Sequence, residues 1–183
     1  MNNQPSTIPT TWIVLLRGIN VGGRNILPMQ DLRALLTGLG YQNIRTYIQS
    51  GNVVLLSPSR PDEEAIGTAI EKQFGFRPAV LILSAEDLQD ATASNPYPAD
   101  AGKAVHFYFC DQAPASIDHA LLTDLKSDSE SYELVGTVFY LYAPDGIGRS
   151  KLAAKVEKAL PGVSLTGRNL NTVNKLLGMV ADC

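Results

Sequence analysis

One order of elements occurs twice in this chain, and that repetition constrains the fold more than any other feature. Residues 47–56, "YIQSGNVVLL", read as two strands joined at Ser50-Gly51. Residues 132–141, "YELVGTVFYL", read the same way around Val135-Gly136. Glycine at such a junction tolerates positive φ and signals a hairpin. An amphipathic segment follows each hairpin: "IGTAIEKQFG" (66–75) and "LAAKVEKALPG" (152–162). A short apolar strand precedes each, "TWIVLLR" at 11–17 and "AVHFYFC" at 104–110, with a helical pattern between strand and hairpin.

The remaining elements complete two parallel series. Leu32, Leu35, Leu36 and Leu39 share a helical face that Pro28 opens and Gly40 closes. Pro61, followed by Asp62, Glu63 and Glu64, marks the next helix start, and Gly75 its end. "AVLIL" is a strand, and Ser84 with Asp87 forms a capping box for an extra helix. In the second series "PASIDHALLTDL" (114–125) and "SKLAAKVEKALPG" (150–162) are expected as helices, the latter with Leu152, Val156, Ala159 and Leu160 inward. "VSLT" (163–166) is expected as a short strand. A final helix over 169–180 is expected to turn Leu170, Val173, Leu177 and Val180 inward. The pattern predicts an α+β protein of two ferredoxin-like units in tandem. Each is βαββαβ plus an extra helix, with an antiparallel sheet carrying its helices on one face. The expected division is a flexible leader over 1–10, a first unit over 11–95, a linker over 96–103 and a second unit over 104–183.

Strand direction alternates in such a unit, so certain loops share an end of the sheet. In the first unit these are "RGINVGGRN" (17–25) and "QSGN" (49–52). In the second they are "PDGIGRSK" (144–151) and "TGRNLNT" (166–172), at the opposite end. Both clusters could line one basic cleft if the units face each other suitably. Arginine offers a planar fork that matches two phosphate or carboxylate oxygens. Glycine lets backbone N–H groups approach an anion, and asparagine both donates and accepts. The candidate ligand-binding residues in the first unit are therefore Arg17, Gly18, Asn20, Gly22, Gly23, Arg24, Asn25, Ser50 and Asn52. In the second they are Gly148, Arg149, Ser150, Lys151, Arg168, Asn169 and Asn171. Arg45 and Lys175 add charge beside these stretches, whereas residues 104–145 carry seven acidic residues against Lys126 alone. Each stretch read alone is equally an ordinary turn or helix cap.

Other chemistries have less support. The net charge of −3 disfavours indiscriminate binding to nucleic acid or membrane. With His106 and His119 far from any Cys pair, neither a metal nor another cofactor is expected. Ser50 and Ser150 lack an evident base, and no catalytic constellation is legible, so an enzymatic role stays undecided. Two cysteines without pair spacing and no signal peptide point to a reduced, cytoplasmic setting. The expected partner is a phosphate-bearing small molecule or nucleotide. One alternative is a single-stranded nucleic-acid binder stacking bases on an aromatic sheet face of Tyr108 and Tyr140. Another is an interaction protein whose motifs serve only its own structure.

"LLRGINVGGRNILPM", "TYIQSGNVV", "PDGIGRSKL" and "TGRNLNTVNKL" resemble, in order and spacing, the motifs of a bacterial family called domain of unknown function 1697. The resemblance runs from Trp12 to Leu177. It implies a compact α+β protein with a ferredoxin-like half and a second α+β half, and it implies no activity.

Overall fold

A computed structural model describes residues 8–183. The leader expected over 1–10 falls, up to residue 7, outside the described residues. The chain divides into two compact units. One runs to Leu88 and takes in Leu176–Cys183; the other is Gln89–Lys175.

The first unit contains β1 (Thr10–Arg17), α1 (Met29–Gly38), β2 (Gln42–Tyr47), β3 (Asn52–Ser57), α2 (Glu63–Phe74) and β4 (Ala79–Ser84). Its sheet order is β2-β3-β1-β4, antiparallel throughout. That is the ferredoxin-like arrangement, because each helix carries the chain past a neighbouring strand. α2 forms where expected. The Asp62 side chain accepts from the N–H groups of Glu64 and Ala65, and Gly75 closes the helix at φ +78. Val14, Leu16, Val53, Leu55 and Ile82 meet Leu32, Leu36, Ile66 and Ile70 from the two helices. Each fully buried aliphatic side chain contributes about 2 kcal/mol relative to exposure. Ile13, Leu15 and Val54 on the other face are also fully buried. Strands buried on both faces read as unbroken apolar runs such as "IVLL". Leu39 departs from expectation: it lies beyond α1 and is exposed.

α3 (Ala85–Ala93) begins with the expected capping box. Asp87 N–H donates to Ser84 Oγ at 3.0 Å, and Ser84 N–H donates to Asp87 Oδ2 at 2.7 Å.

The second unit repeats the arrangement with β5 (Val105–Cys110), α4 (His119–Leu125), β6 (Ser131–Val135), β7 (Val138–Tyr142), α5 (Val156–Ala159) and β8 (Leu165–Asn169). Its sheet order is β6-β7-β5-β8, again antiparallel. Cys110, Phe139, Leu141 and Leu165 pack with Leu122, Leu152, Val156 and Leu160.

Four expectations are corrected here. α4 begins at His119 rather than Pro114, because Asp118 Oδ1 accepts from Leu121 N–H at 2.9 Å and starts the helix there. Residues 150–160 are not one helix. They form one 3-10 turn, Ala153–Lys155, before the single turn of α5, and another 3-10 turn, Ile147–Arg149, lies just ahead of the segment. The fourth strand runs on through "GRN" to Asn169, pairing with β5. α6 (Leu170–Ala181) then follows at once. Its buried positions are Leu170, Thr172, Val173, Leu176 and Met179, rather than Leu177 and Val180.

Candidate ligand-binding loops

The first-unit stretches do lie together: Leu16 N–H donates to Gly51 O at 2.8 Å. Between β1 and α1 the chain makes a miniature hairpin. Arg24 N–H donates to Val21 O at 3.0 Å across Gly22 and Gly23, whose φ values are +57 and +72. Two consecutive left-handed residues are the signature of a type I′ turn, which glycine adopts without strain. Asn20 binds this loop to its surroundings. Its Nδ2 donates to Leu27 O (2.9 Å) and Gln49 O (2.8 Å), while Leu27 N–H donates to its Oδ1 at 2.8 Å. Asn25 Nδ2 donates to Gly18 O at 2.8 Å. Asn52 is fully buried, its Nδ2 donating to Tyr47 O (3.1 Å) and Ser50 Oγ (2.9 Å). The asparagine amides therefore hold the loops' own backbone. What the loops present outward is Arg17 and Arg24, both exposed, with exposed Gly18, Gly22 and Gly23. Arg24 makes no side-chain hydrogen bond or ion pair among the described residues. Residues 1–61 contain five arginines and one acidic residue, Asp31. Arg45 is engaged elsewhere, donating to the carbonyl of Met179 and to Cys183 Sγ.

In the second unit the expected stretches line different recesses. Arg168 lies within β8, opposite Phe107. Burial pushes its guanidinium down to about 10, and Nη1 donates to Gly167 O at 2.7 Å. Asn169 caps α6, its Oδ1 accepting from Thr172 N–H at 2.9 Å. Asn171 packs against Gly102, where an added Cβ would lie 1.8 Å from Asn171 Oδ1. It lines a shallow recess with Asp100 and Lys103.

"GIGRSK" lines a different recess of about 480 Å³. Gly146, Arg149, Ser150 and Lys151 form one part, with Gly148 beside them in the 3-10 turn; Asp124, Lys126, Ser127, Glu130 and Asp145 form, with Leu125, the rest. Ser150 is buried, and its Oγ accepts from Ala153 N–H at 2.9 Å, a capping role. The acidic part has its own scaffold. Glu130 is 5% exposed and its Oε2 accepts from Ser127 N–H at 3.0 Å. Lys126 Nζ donates to the carbonyls of Ser127 (3.2 Å) and Glu130 (3.0 Å). Ser129 Oγ donates to Asp145 Oδ2 at 2.5 Å. Among the described residues, Asp124, Arg149 and Lys151 make no side-chain hydrogen bond or ion pair. The sequence reading did not place Asp124, Lys126 and Glu130 beside Arg149. The available signal was the acidic run that includes them, which spacing alone does not bring to Arg149.

The aromatic stacking face is a further correction. Phe107 pairs with Tyr140 across the strands and Tyr108 with Phe139, so Tyr108 and Tyr140 point to opposite faces of the sheet. Phe107 and Tyr140 have no exposed surface, their rings meeting edge-on at 4.8 Å. Tyr140 OH donates to Ala91 O at 2.6 Å. Tyr108 packs into the core beneath α4 and α5. Tyr140 is closed to a base, Tyr108 is partly buried, and the two do not share a face on which bases could stack. Among the described residues no three His, Cys, Asp or Glu side chains gather as a metal site, and no helix is long and apolar enough to cross a membrane.

A family model described as a protein of unknown function, DUF1697, matches residues 10–140. The first-unit motifs lie inside that span, and the last two motifs lie beyond it. A conserved bacterial protein from Streptococcus pneumoniae is structurally similar, with a TM-score of 0.70 at 24% identity, over 95% of this chain and 99% of that one. That likeness shows the shared fold. No curated protein matches the chain.

Proposed function

We propose that this chain, which belongs to the DUF1697 family of proteins of unknown function, binds a small phosphate-bearing ligand in the recess of its second unit. One observation carries the reading. Arg149 and Lys151 line a concavity, yet neither pairs with the carboxylates that line it too. A concave site with convergent polar groups is where small ligands are held. The guanidinium fork of Arg149 matches two phosphate oxygens, and Lys151 supplies a compact charge. Two charge-assisted contacts of about 2 kcal/mol each correspond to binding in the millimolar range for phosphate alone. The first-unit loops, with exposed Arg17 and Arg24, are a second basic region on which such a ligand is testable.

A thermal-shift titration at low ionic strength tests this with inorganic phosphate, sugar phosphates and nucleotides. Phosphate-bearing compounds are expected to raise Tm, and Arg149→Ala with Lys151→Ala is expected to remove the rise. Loss of the shift in Arg24→Ala instead would move the ligand to the first unit. A shift unaffected by any of these substitutions, or no shift at all, would overturn the reading.

A further inference from the structure

We propose that the ligand of the second-unit recess carries an ammonium group as well as its anion, as a phosphorylated primary amine does. This rests on the phosphate reading above and adds the acidic part of the same recess to it. Three cations and three carboxylates line the recess, so its formal charge is balanced. A bare phosphate approaching Arg149 and Lys151 also meets the field of Asp124, Glu130 and Asp145. A zwitterion satisfies both parts at once, and electrostatic complementarity of this kind confers specificity.

Two of the three acids, the exposed Asp124 and Asp145, are not accounted for by the fold alone, whereas buried Glu130 is held by Ser127 N–H. Lys126 holds two carbonyls of its own loop rather than any carboxylate. Asp145 has one oxygen engaged by a serine hydroxyl and no ion pair among the described residues. Asp124 lies in the last turn of α4, where the helix dipole disfavours a carboxylate, and no cation or donor compensates it there. An ammonium group is the complement to Asp124 and the second oxygen of Asp145. Recess volume admits a small molecule bearing both groups a few bonds apart.

Isothermal titration of the full chain with four probes separates the possibilities: inorganic phosphate, ethanolamine, phosphoethanolamine and β-alanine. Phosphoethanolamine is expected to bind about tenfold more tightly than inorganic phosphate or ethanolamine. The double variant Asp124→Asn/Asp145→Asn is expected to lose that tenfold preference while still binding phosphate. Carboxamides keep the shape of the acids, and bound phosphate reports that the variant is folded. Phosphoethanolamine binding no better than phosphate, or a preference that survives in the double variant, would overturn the proposal. β-Alanine binding as well as phosphoethanolamine would uphold recognition of the amine and overturn the phosphate reading. No binding of any probe would overturn both.

Discussion

The segment after each hairpin is the place where the two units differ most. "IGTAIEKQFG" and "LAAKVEKALPG" have nearly the same apolar spacing. In both, the inward residues are buried: Ile66 and Ile70 in one, Leu152, Val156 and Leu160 in the other. Yet α2 is one regular helix of 12 residues, and its counterpart is one 3-10 turn and a single α turn. The ends explain the contrast. α2 has an Asp62 cap, an acidic first turn and a left-handed Gly75. In the second unit Ser150 caps only a local turn, Lys155 N–H reaches back to Leu152 O, and Lys155 adopts φ −130. Apolar spacing decides which residues are buried, whereas capping decides whether the backbone between them is helical. The unwound backbone also places Arg149 and Lys151 along the recess.

The hairpin glycines sharpen this comparison with the largest effect. Gly51 and Gly136 occupy the same topological position, with φ of +81 and +59. A Cβ on Gly51 would lie 2.6 Å from Leu16 Cβ and 3.0 Å from Ile19 Cδ1, whereas one on Gly136 would meet nothing within 4 Å. Gly51→Ala therefore adds overpacking to left-handed strain and is expected to cost about 3 kcal/mol. Gly136→Ala bears the strain alone, about 1 kcal/mol. Urea unfolding midpoints measure both. Equal costs would show that the close approach of Leu16 and Ile19 to Gly51 does not constrain the first hairpin.

A second, smaller difference lies in alkaline stability. Burial raises the phenols of Tyr97, Tyr108 and Tyr140 from 10.0 to about 12. Burial likewise raises the Cys110 thiol from 9.0 to about 11. All four groups belong to the second unit. Their folded-state values exceed the unfolded ones, so the neutral groups contribute stability that is fully present below the unfolded values. That stability is lost as pH rises through the folded values. The second unit is expected to weaken between pH 9 and about 12. Tyr140→Phe removes the bond to Ala91 O, expected to cost about 1 kcal/mol at neutral pH, and it flattens this alkaline decline. Urea midpoints across the range test it, with Trp12 fluorescence following the first unit separately. A flat profile in the unsubstituted chain would refute the assignment.

What could be read from the sequence followed from how local each determinant is. Alternating apolar strands and glycine hairpins are local, so both sheet orders were legible, as were the Asp62 cap and the Ser84–Asp87 box. "GRN" reads as a loop by composition, but Arg168 and Asn169 pair with Phe107 and His106 across the sheet. Gly167 permits this: a Cβ there would lie 3.0 Å from the Tyr108 ring. Asn20 stood out as unusual, but its amide closes on Leu27 and Gln49 rather than on a ligand. The recess joins the end of α4 to the segment after β7, residues about twenty apart. No spacing rule predicts that meeting.

The smallest effect tests the turn beside Gly51. Ile48 has φ +49 and is 51% exposed. A β-branched residue is strongly disfavoured in the left-handed region, and asparagine is among the few residues that enter it readily. Ile48→Asn is therefore expected to stabilise the chain by about 0.5–1 kcal/mol, since little burial is lost and the strain is relieved. Val135 precedes the turn of the second hairpin and lies outside the left-handed region. Val135→Asn has no strain to relieve and weakens a strand residue, so it is expected to lower the urea midpoint slightly. Opposite signs at the two positions would establish that the first turn holds isoleucine against its backbone preference. The same sign at both would mean that Ile48 contributes packing its exposure does not reveal.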